Sequence, residues 1–497
     1  AIWDSKKEQL LLARDRLGIK PLYYIAGEKQ FLFASEVRAL LASGLSDSEI
    51  NPTGLYHYLS FGHLKSPESI IGNIQELKAG HYLVVESDGN VQETQYWHPL
   101  DSIEAPENDG DSIQDILLDS IKYRQVSDVP IGAFLSGGID SSAIVSHMAS
   151  ISDEPITTLT IGFKEKEFDE SEHSAEISRL FKTRHRLLTL DEKQLLDALP
   201  AAISAMDQPT MDGINTFLIS RAANDAGLKV VLSGLGGDEL FGGYPSFQLV
   251  PNLLQKKKWL QHYPKFLLNL GTKMLKYSLS SDQSIKLDHW LNGKLSGAHE
   301  YYLIRALYCQ DQVSELFQDQ SLVEKETLKN FQTTKDSLNL EKLDGDFSLI
   351  SYLETTHYLQ NMLLRDTDMM SMAHPLEVRV PFMDHKLVEH MLSMPARLKK
   401  LTATPKALLV DSMKPPLPDS IVHRKKMGFT LPFEPWMRGA MKPEMESVLL
   451  TSVKPLENLI SQETTEKIWQ QFLAGKISWS RPWALYVLKR WVDKNLS

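Results

Sequence analysis

The sequence predicts an α/β protein: a β-rich N-terminal layer, then a doubly wound parallel sheet, then a largely helical C-terminal part. Three observations carry this. Helical and strand patterns alternate from residue 112 to 232, the signature of a parallel sheet with helices on both faces. Short apolar runs separated by glycine and proline turns fill the first hundred residues. Finally, Ser136-Gly-Gly-Ile-Asp-Ser-Ser142 stands between an apolar run and a helical pattern, where sheets of this kind place their ligands.

Taken in order, Leu10–Ala13, Leu22–Ile25 and Phe31–Ala34 read as short strands of an antiparallel meander, with Gly18 and Pro21 punctuating a turn between two of them. Ala1-Ile-Trp-Asp4 reads as the inside of a strand, so the chain is expected to start partway through a domain. Gly80–Val85 and Val91–Trp97 read as a hairpin around Ser87-Asp-Gly-Asn90. The acidic stretch 101–111, with its Pro and Gly, reads as a linker between a domain at 1–100 and another at 112–497. The second domain opens with a helix to about Arg124 and a strand Val129–Leu135. A helix from Ser141, a strand Ile156–Gly162, a helix Ser171–Lys182 and a strand His185–Leu190 follow. Helices Glu192–Met206 and Thr216–Ala226 and a strand Lys229–Leu232 complete the alternation. Beyond about 245 the pattern is mostly helical.

Composition bounds the function. The chain has 497 residues, 42% hydrophobic and 24% charged, enough for two or more cores. No apolar run approaches the roughly 18 residues of a membrane helix, and no basic-then-apolar leader is present. A cytoplasmic location and no membrane partner are expected. The formal net charge of -11 argues against a nucleic-acid partner, because phosphate contacts favour a basic face. The single cysteine, Cys309, excludes an intrachain disulfide and any multi-cysteine metal cluster, and is expected to be a small buried apolar residue.

The turn at 136–142 points to ATP. Gly137 and Gly138 let the backbone turn so that successive N–H groups face an anion at the positive end of the next helix. Ser136, Ser141 and Ser142 add hydroxyl donors. Asp140 suits an anion site only with a cation between it and the phosphates, which makes it a magnesium ligand. No Gly-Lys-Ser or Gly-Lys-Thr occurs, so γ-phosphate transfer by a P-loop is not expected. The ordinary alternative is a plain strand-to-helix loop. A second glycine-and-acid segment, Ser233-Gly-Leu-Gly-Gly-Asp-Glu239, follows the strand at 229–232. Adjacent acids within such a cluster have little structural work, and Asp238 is the better metal candidate.

Ser-Gly-Gly-x-Asp-Ser-Ser after an apolar strand resembles the pyrophosphatase loop of enzymes that split ATP to AMP and pyrophosphate. Four further segments resemble glutamine-hydrolysing asparagine synthetase and occur in that family's order. They are Arg14–Tyr23 with Phe33-Ala-Ser-Glu36, Ser233–Tyr244, Asp368–His374 with Glu377–Asp384, and Arg424-Lys-Lys-Met-Gly-Phe-Thr-Leu-Pro432. The likeness spans nearly the whole sequence. It implies that 1–100 is the second half of a glutaminase domain of Ntn-hydrolase-like fold, and that 112–497 is an ATP pyrophosphatase-type synthetase domain.

The resemblance implies a ligase that adenylates the aspartate side-chain carboxylate with ATP and Mg2+, then amidates it with ammonia from glutamine. It assigns nucleotide contacts to Leu135, Ser136, Gly137, Gly138, Asp140, Ser141, Ser142, Ile161, Gly162, Ser233 and Gly234. It assigns magnesium to Asp140 and Asp238, and the active-site lysine to Lys426. An isoleucine at a strand end is ordinarily core, and Lys425 with Lys426 is otherwise a solvated pair. Asp169 and Glu170 are candidates to touch the nucleotide, or else simply acids at a helix start. The family's glutaminase nucleophile is a cysteine that opens the mature chain. This sequence opens with Ala1, so it is not expected, as written, to hydrolyse glutamine. The family also implies an ammonia tunnel and admits a homodimer.

Two departures stand out. Leu235 occupies the position of a glutamate that helps the intermediate form or takes a proton from ammonia. In addition, the stretch Asp207–Thr216 lacks an arginine that some members place near the amino-acid substrate. Asp212 or Glu239 is expected to supply the missing base, with Glu239 a catalytic candidate, or else the acceptor is another carboxylate such as a sugar acid or peptide, a lactam-forming reaction included. A non-catalytic relative is the third reading.

Overall fold

The computed structural model describes residues 1–27, 30–101, 103, 112–163, 169–260, 262, 281–292, 297–323, 340–399, 403–424 and 431–496. Near the N-terminus, short apolar runs build two small antiparallel sheets. Strands β1 (Ile2–Asp4), β2 (Gln9–Ala13), β6 (His81–Val85) and β7 (Val91–Gln95) form one, in the order β1-β2-β6-β7. Strands β3 (Tyr23–Ala26), β4 (Phe31–Ala34) and β5 (Gln75–Glu76) form the other, in the order β4-β3-β5.

The expected single meander is thereby corrected, because residues 10–13 and 22–25 belong to different sheets. The Asp15 carboxylate accepts the backbone N–H groups of Leu17 (3.2 Å), Ile19 (2.8 Å) and Lys20 (2.9 Å). That turn carries the chain out of the first sheet and into the second. Leu12, Tyr24, Leu77 and Leu83 form a small core shared by the two. The hairpin at 81–95 is as expected, with Val85 opposite Val91.

The parallel sheet has five strands in the order β10 (Arg184–Leu190), β9 (Thr157–Phe163), β8 (Ile131–Phe134), β11 (Val230–Leu232), β12 (Glu377–Arg379). Both faces are covered, as a doubly wound sheet requires. Ala133 and Leu135 pack with Leu117, Ile121, Ile144 and Met148 of helices Ile113–Arg124 and Ile139–Ile151. Leu159 and Val231 pack with Ala223 of helix Ile214–Asp225. The chain runs from β8 through β9 to β10 on one side, then returns across β8 to β11 and β12. That reversal opens a crevice at the ends of β8 and β11, and the two glycine-rich segments leave those strands beside it.

Two details differ from the sequence reading. The helix after the 136–142 turn begins at Ile139, because Gly138 already holds the extended N-cap conformation, so Asp140 lies within the first helical turn. In addition, β12 is a fifth strand that no periodicity announced, since three residues are too few to show one. The linker residues 102 and 104–111 lie outside the described residues.

The C-terminal helix Ser480–Leu496 is buried on nearly all sides, which its aromatic and aliphatic content demands. Trp491 donates its indole N–H to Met206 O and Trp483 donates to Met211 O, each at 3.1 Å. Together they brace the loop that carries Asp207 and Asp212. Tyr58, in helix Pro52–Phe61, donates to Ala484 O at 2.8 Å and so ties the N-terminal half to the same helix. The two halves also meet through charge. Glu76 lies between Arg14 (3.0 Å) and Arg365 (3.4 Å), all three buried. Two guanidinium groups overcome the cost of burial and hold the Glu76 carboxyl below its ordinary range.

Candidate active site

A cavity of about 1370 Å³ opens at the crevice between β8 and β11. Leu135, Ser136, Gly138, Asp140 and Ser141 line it from the first turn, and Ser233, Gly234, Leu235, Asp238 and Glu239 from the second. Ile161 and Glu170 contribute from the β9 side. The two turns are pressed together: a Cβ on Gly237 would stand 2.5 Å from Asp140 Cγ, and one on Gly234 would stand 2.7 Å from the Ser141 nitrogen. Glycine is needed at both because the second turn crosses directly over the start of the helix. Within the first turn, the Ser136 and Ser141 hydroxyls are 3.1 Å apart, and Ser136 Oγ accepts the Gly138 N–H at 3.3 Å.

Asp140 and Asp238 converge on one cation, Lys406. Its ammonium donates to Asp140 Oδ1 at 2.6 Å and pairs with Asp238 Oδ1. Burial alone would lower the Lys406 pKa, but the two carboxylates outweigh it and raise the ammonium above its ordinary value. Lys406 also holds a left-handed backbone, φ 50°, as the N-cap of helix Ala407–Val410. Strain of this kind in a residue other than glycine persists where surrounding contacts dictate it, often at functional sites. The lysine was not legible in the sequence: Thr404-Pro-Lys-Ala-Leu-Leu409 carries no glycine cluster or spacing that marks it.

Magnesium fits this donor set. Two carboxylates that share one cation match an ion that binds through one or two carboxylates together with substrate phosphates and water. Among the described residues no group of three or more His, Cys, Asp or Glu is placed to hold a metal, so protein ligation would rest on Asp140 and Asp238. Lys426 and the rest of 425–430 lie outside the described residues. Arg424, which opens that motif, lines the cavity and pairs with buried Glu170 at 2.7 Å. Burial raises the Glu170 carboxyl, and Arg424 works against that rise.

Three of the residues expected to touch the nucleotide lie off the cavity wall. Gly137 does not line the cavity; a Cβ there would meet the Ser174 nitrogen at 2.6 Å, so its place is against the helix Ser171–Leu180. Gly162 faces Asp169, and Ser142 is fully buried, so neither lines the wall. Asp169 accepts from the Ser171 hydroxyl at 2.8 Å and acts at the helix start. Cys309 is buried at the N-cap of helix Gln310–Leu316, as expected.

Beyond the phosphate-sized turns, the cavity is acidic and aromatic. Glu239 is fully buried and accepts the Tyr244 hydroxyl at 2.9 Å. Burial, reinforced by Asp238, pushes its carboxyl up to about 8. Tyr244 and Tyr358 line the wall, with the Arg305 guanidinium 4.6 and 3.8 Å from their ring centroids. Arg305 is in turn neutralised by buried Glu354. Leu235 lines the same space, so the departure at this position leaves a hydrocarbon surface there.

A family model described as asparagine synthase matches residues 112–493, and one described as glutamine amidotransferase domain matches 1–97. The chain belongs to the asparagine synthase family. Asparagine synthetase [glutamine-hydrolyzing] 1 of Bacillus subtilis is 26% identical over 100% of this chain and 77% of its own length. Asparagine synthetase [glutamine-hydrolyzing] 3 of the same organism is 28% identical over 93% of this chain and 73% of its own. Amidase chry2 of Gibberella zeae is 25% identical over 92% and 72%. Membership in the asparagine synthase family makes the chain a ligase that forms a C–N bond with glutamine as nitrogen donor. Among the described residues no helix is long and apolar enough to cross a membrane.

Proposed function

We propose that this chain adenylates the side-chain carboxylate of aspartate, releasing pyrophosphate from ATP, and passes ammonia to the activated carboxyl to give asparagine. The observation that carries this reading is the convergence of Asp140, Asp238 and Lys406 over the 136–142 turn at the sheet reversal. When pyrophosphate leaves, negative charge accumulates on its oxygens. Preorganised donors aimed there lower the barrier. Ser136, Ser141 and the N–H groups at the start of helix Ile139–Ile151 supply donors, and Lys406 supplies a mobile positive charge that shifts from the carboxylates to the phosphates. Magnesium held by Asp140 and Asp238 would neutralise the same oxygens. By the resemblance, Lys426 is the family's active-site lysine.

A second reading is favoured by Leu235 and by the amidase-named relative: the acceptor is another carboxylate, a sugar acid or a peptide, or the product is a lactam. We further infer a glutaminase part at 1–100, a linker at 101–111 and a synthetase part at 112–497, working in the cytoplasm on small molecules and without nucleic acid. Incubation with ATP, magnesium, ammonium and a panel of carboxylic acids tests the proposal. Aspartate-dependent AMP and pyrophosphate support it. ADP and orthophosphate as products would overturn it, and pyrophosphate release only with another acid would move the assignment to that acceptor.

A further inference from the structure

The cavity holds a second pair of acids, which the nucleotide end does not use. Asp366, in helix Arg365–Met372, is buried at 2% exposure and lines the cavity, as does Asp212. They stand on adjoining backbone. Gly213, φ 90°, follows Asp212, and a Cβ on it would lie 3.4 Å from Asp366 Cβ. One threonine ties them: the Thr210 hydroxyl donates to Asp366 Oδ2 at 2.7 Å and accepts the Asp212 N–H at 3.3 Å. Asp366 Oδ1 is buried with no hydrogen-bond partner among the described residues.

The surroundings decide the charge. Asp366 is faced by Asp212, by Arg365 beside it, and by Tyr58 from the N-terminal half, while Tyr358 of the π-helix Glu354–Leu364 faces Asp212. Arg365 is the nearest cation, and it is shared with Glu76. Two buried carboxyls, one of which feels the charge of the other, with less than a full counter-charge beside them, resist ionising together. Burial, the larger cause, and the Asp212 charge both raise Asp366, while burial raises Asp212.

We propose that the ionised carboxylate of the Asp212–Asp366 pair is the base that accepts the proton from the attacking nitrogen, in place of the carboxylate missing at Leu235. This rests on the ligase reading above. The nitrogen lone pair forms the C–N bond at the carbonyl carbon of the acyl adenylate, and the C=O π pair moves to oxygen. The cationic nitrogen gives one proton to the ionised member of the pair. The oxygen pair then re-forms C=O and the bond to AMP breaks, AMP leaving with its electron pair. The pair returns that proton to solvent after product leaves. The location suits nitrogen that arrives from the N-terminal side, since Tyr58 and the Glu76–Arg365 contact flank the pair there.

The test splits the reaction. With the acid that supports exchange in the wild-type full chain, Asp366→Asn should keep ATP–pyrophosphate exchange within about tenfold and lose ammonia-dependent amide formation by about 10²-fold or more. Asp366→Glu should recover part of that loss. Hydroxylamine, whose adduct nitrogen is far more acidic than that of ammonia, should restore turnover to Asp366→Asn. Equal loss of exchange and amide formation, or amide formation at the wild-type rate, would overturn the proposal. Infrared difference spectra against Asp366→Asn and Asp212→Asn provide a measurement independent of the acceptor. A protonated-carboxyl band present in the wild type at neutral pH and altered by either substitution is expected, and its absence overturns the protonated pair. Failure of exchange with every acid tried would bring down the ligase reading instead, and the infrared result alone would then decide the pair.

Discussion

Two acid pairs border one cavity, and they are built in opposite ways. Asp140 and Asp238 close on the Lys406 ammonium, a cluster that in the proposed reading trades its cation for phosphates and a metal. Asp212 and Asp366 are set against each other, anchored by a neutral hydroxyl, with their nearest cation committed elsewhere. In the proposed reading, the same side chain is thus a ligand at one end and a proton carrier at the other. Deeper burial and the lack of a dedicated cation together make the difference.

Lys406→Met breaks the first pair hardest. It keeps the bulk of the side chain but leaves two facing carboxylates without their cation, and ATP–pyrophosphate exchange should fall by about 10³-fold. Excess magnesium should recover part of the loss, and full exchange activity in the variant would remove Lys406 from phosphate chemistry. Gly237→Ala should cost about 10²-fold in exchange, because the new methyl stands 2.5 Å from Asp140 Cγ and displaces it. Its thermal stability should drop by only about 1–3 kcal/mol.

Glu239→Gln sharpens the comparison through pH. The wild-type carboxyl titrates near 8 in the folded chain, up from 4.5, so the folded state holds its proton more tightly than the unfolded one. That contribution is full below the unfolded value and drains as pH rises through 8. The melting temperature of the variant, relative to wild type, should therefore climb between pH 4.5 and 8, by the equivalent of up to about 5 kcal/mol. A flat difference would show that Glu239 stays ionised. The smallest effect is expected from Ser136→Ala, about 1 kcal/mol in apparent affinity for ATP, read as a several-fold rise in KM.

What the sequence disclosed follows the same division. The 136–142 turn and Asp238 were legible because glycines, hydroxyls and acids within seven residues of a strand end have few other uses. Lys406 was hidden because it reaches Asp140 across more than two hundred residues, and no local pattern encodes that approach. Asp366 was hidden inside a helical run, where an acid reads as solvated surface until the fold buries it. Gly137 and Gly162 were assigned to the ligand, yet each is required by packing against the next helix start. The misplaced pairing of residues 10–13 with 22–25 has a similar origin, since only the Asp15 turn tells the chain to change sheets.

The Arg14–Glu76–Arg365 bridge has a consequence for how this molecule can be recombined. Arg14 and Glu76 come from one half and Arg365 from the other, all sealed from water. A transplanted N-terminal half lacking an acid at position 76 would leave the buried Arg365 guanidinium without its ion-pair partner, facing only the charges of Asp366 and Asp207. Chimeras with relatives should tolerate exchange of outer loops freely, yet stand or fall on whether that one carboxylate travels with its arginine.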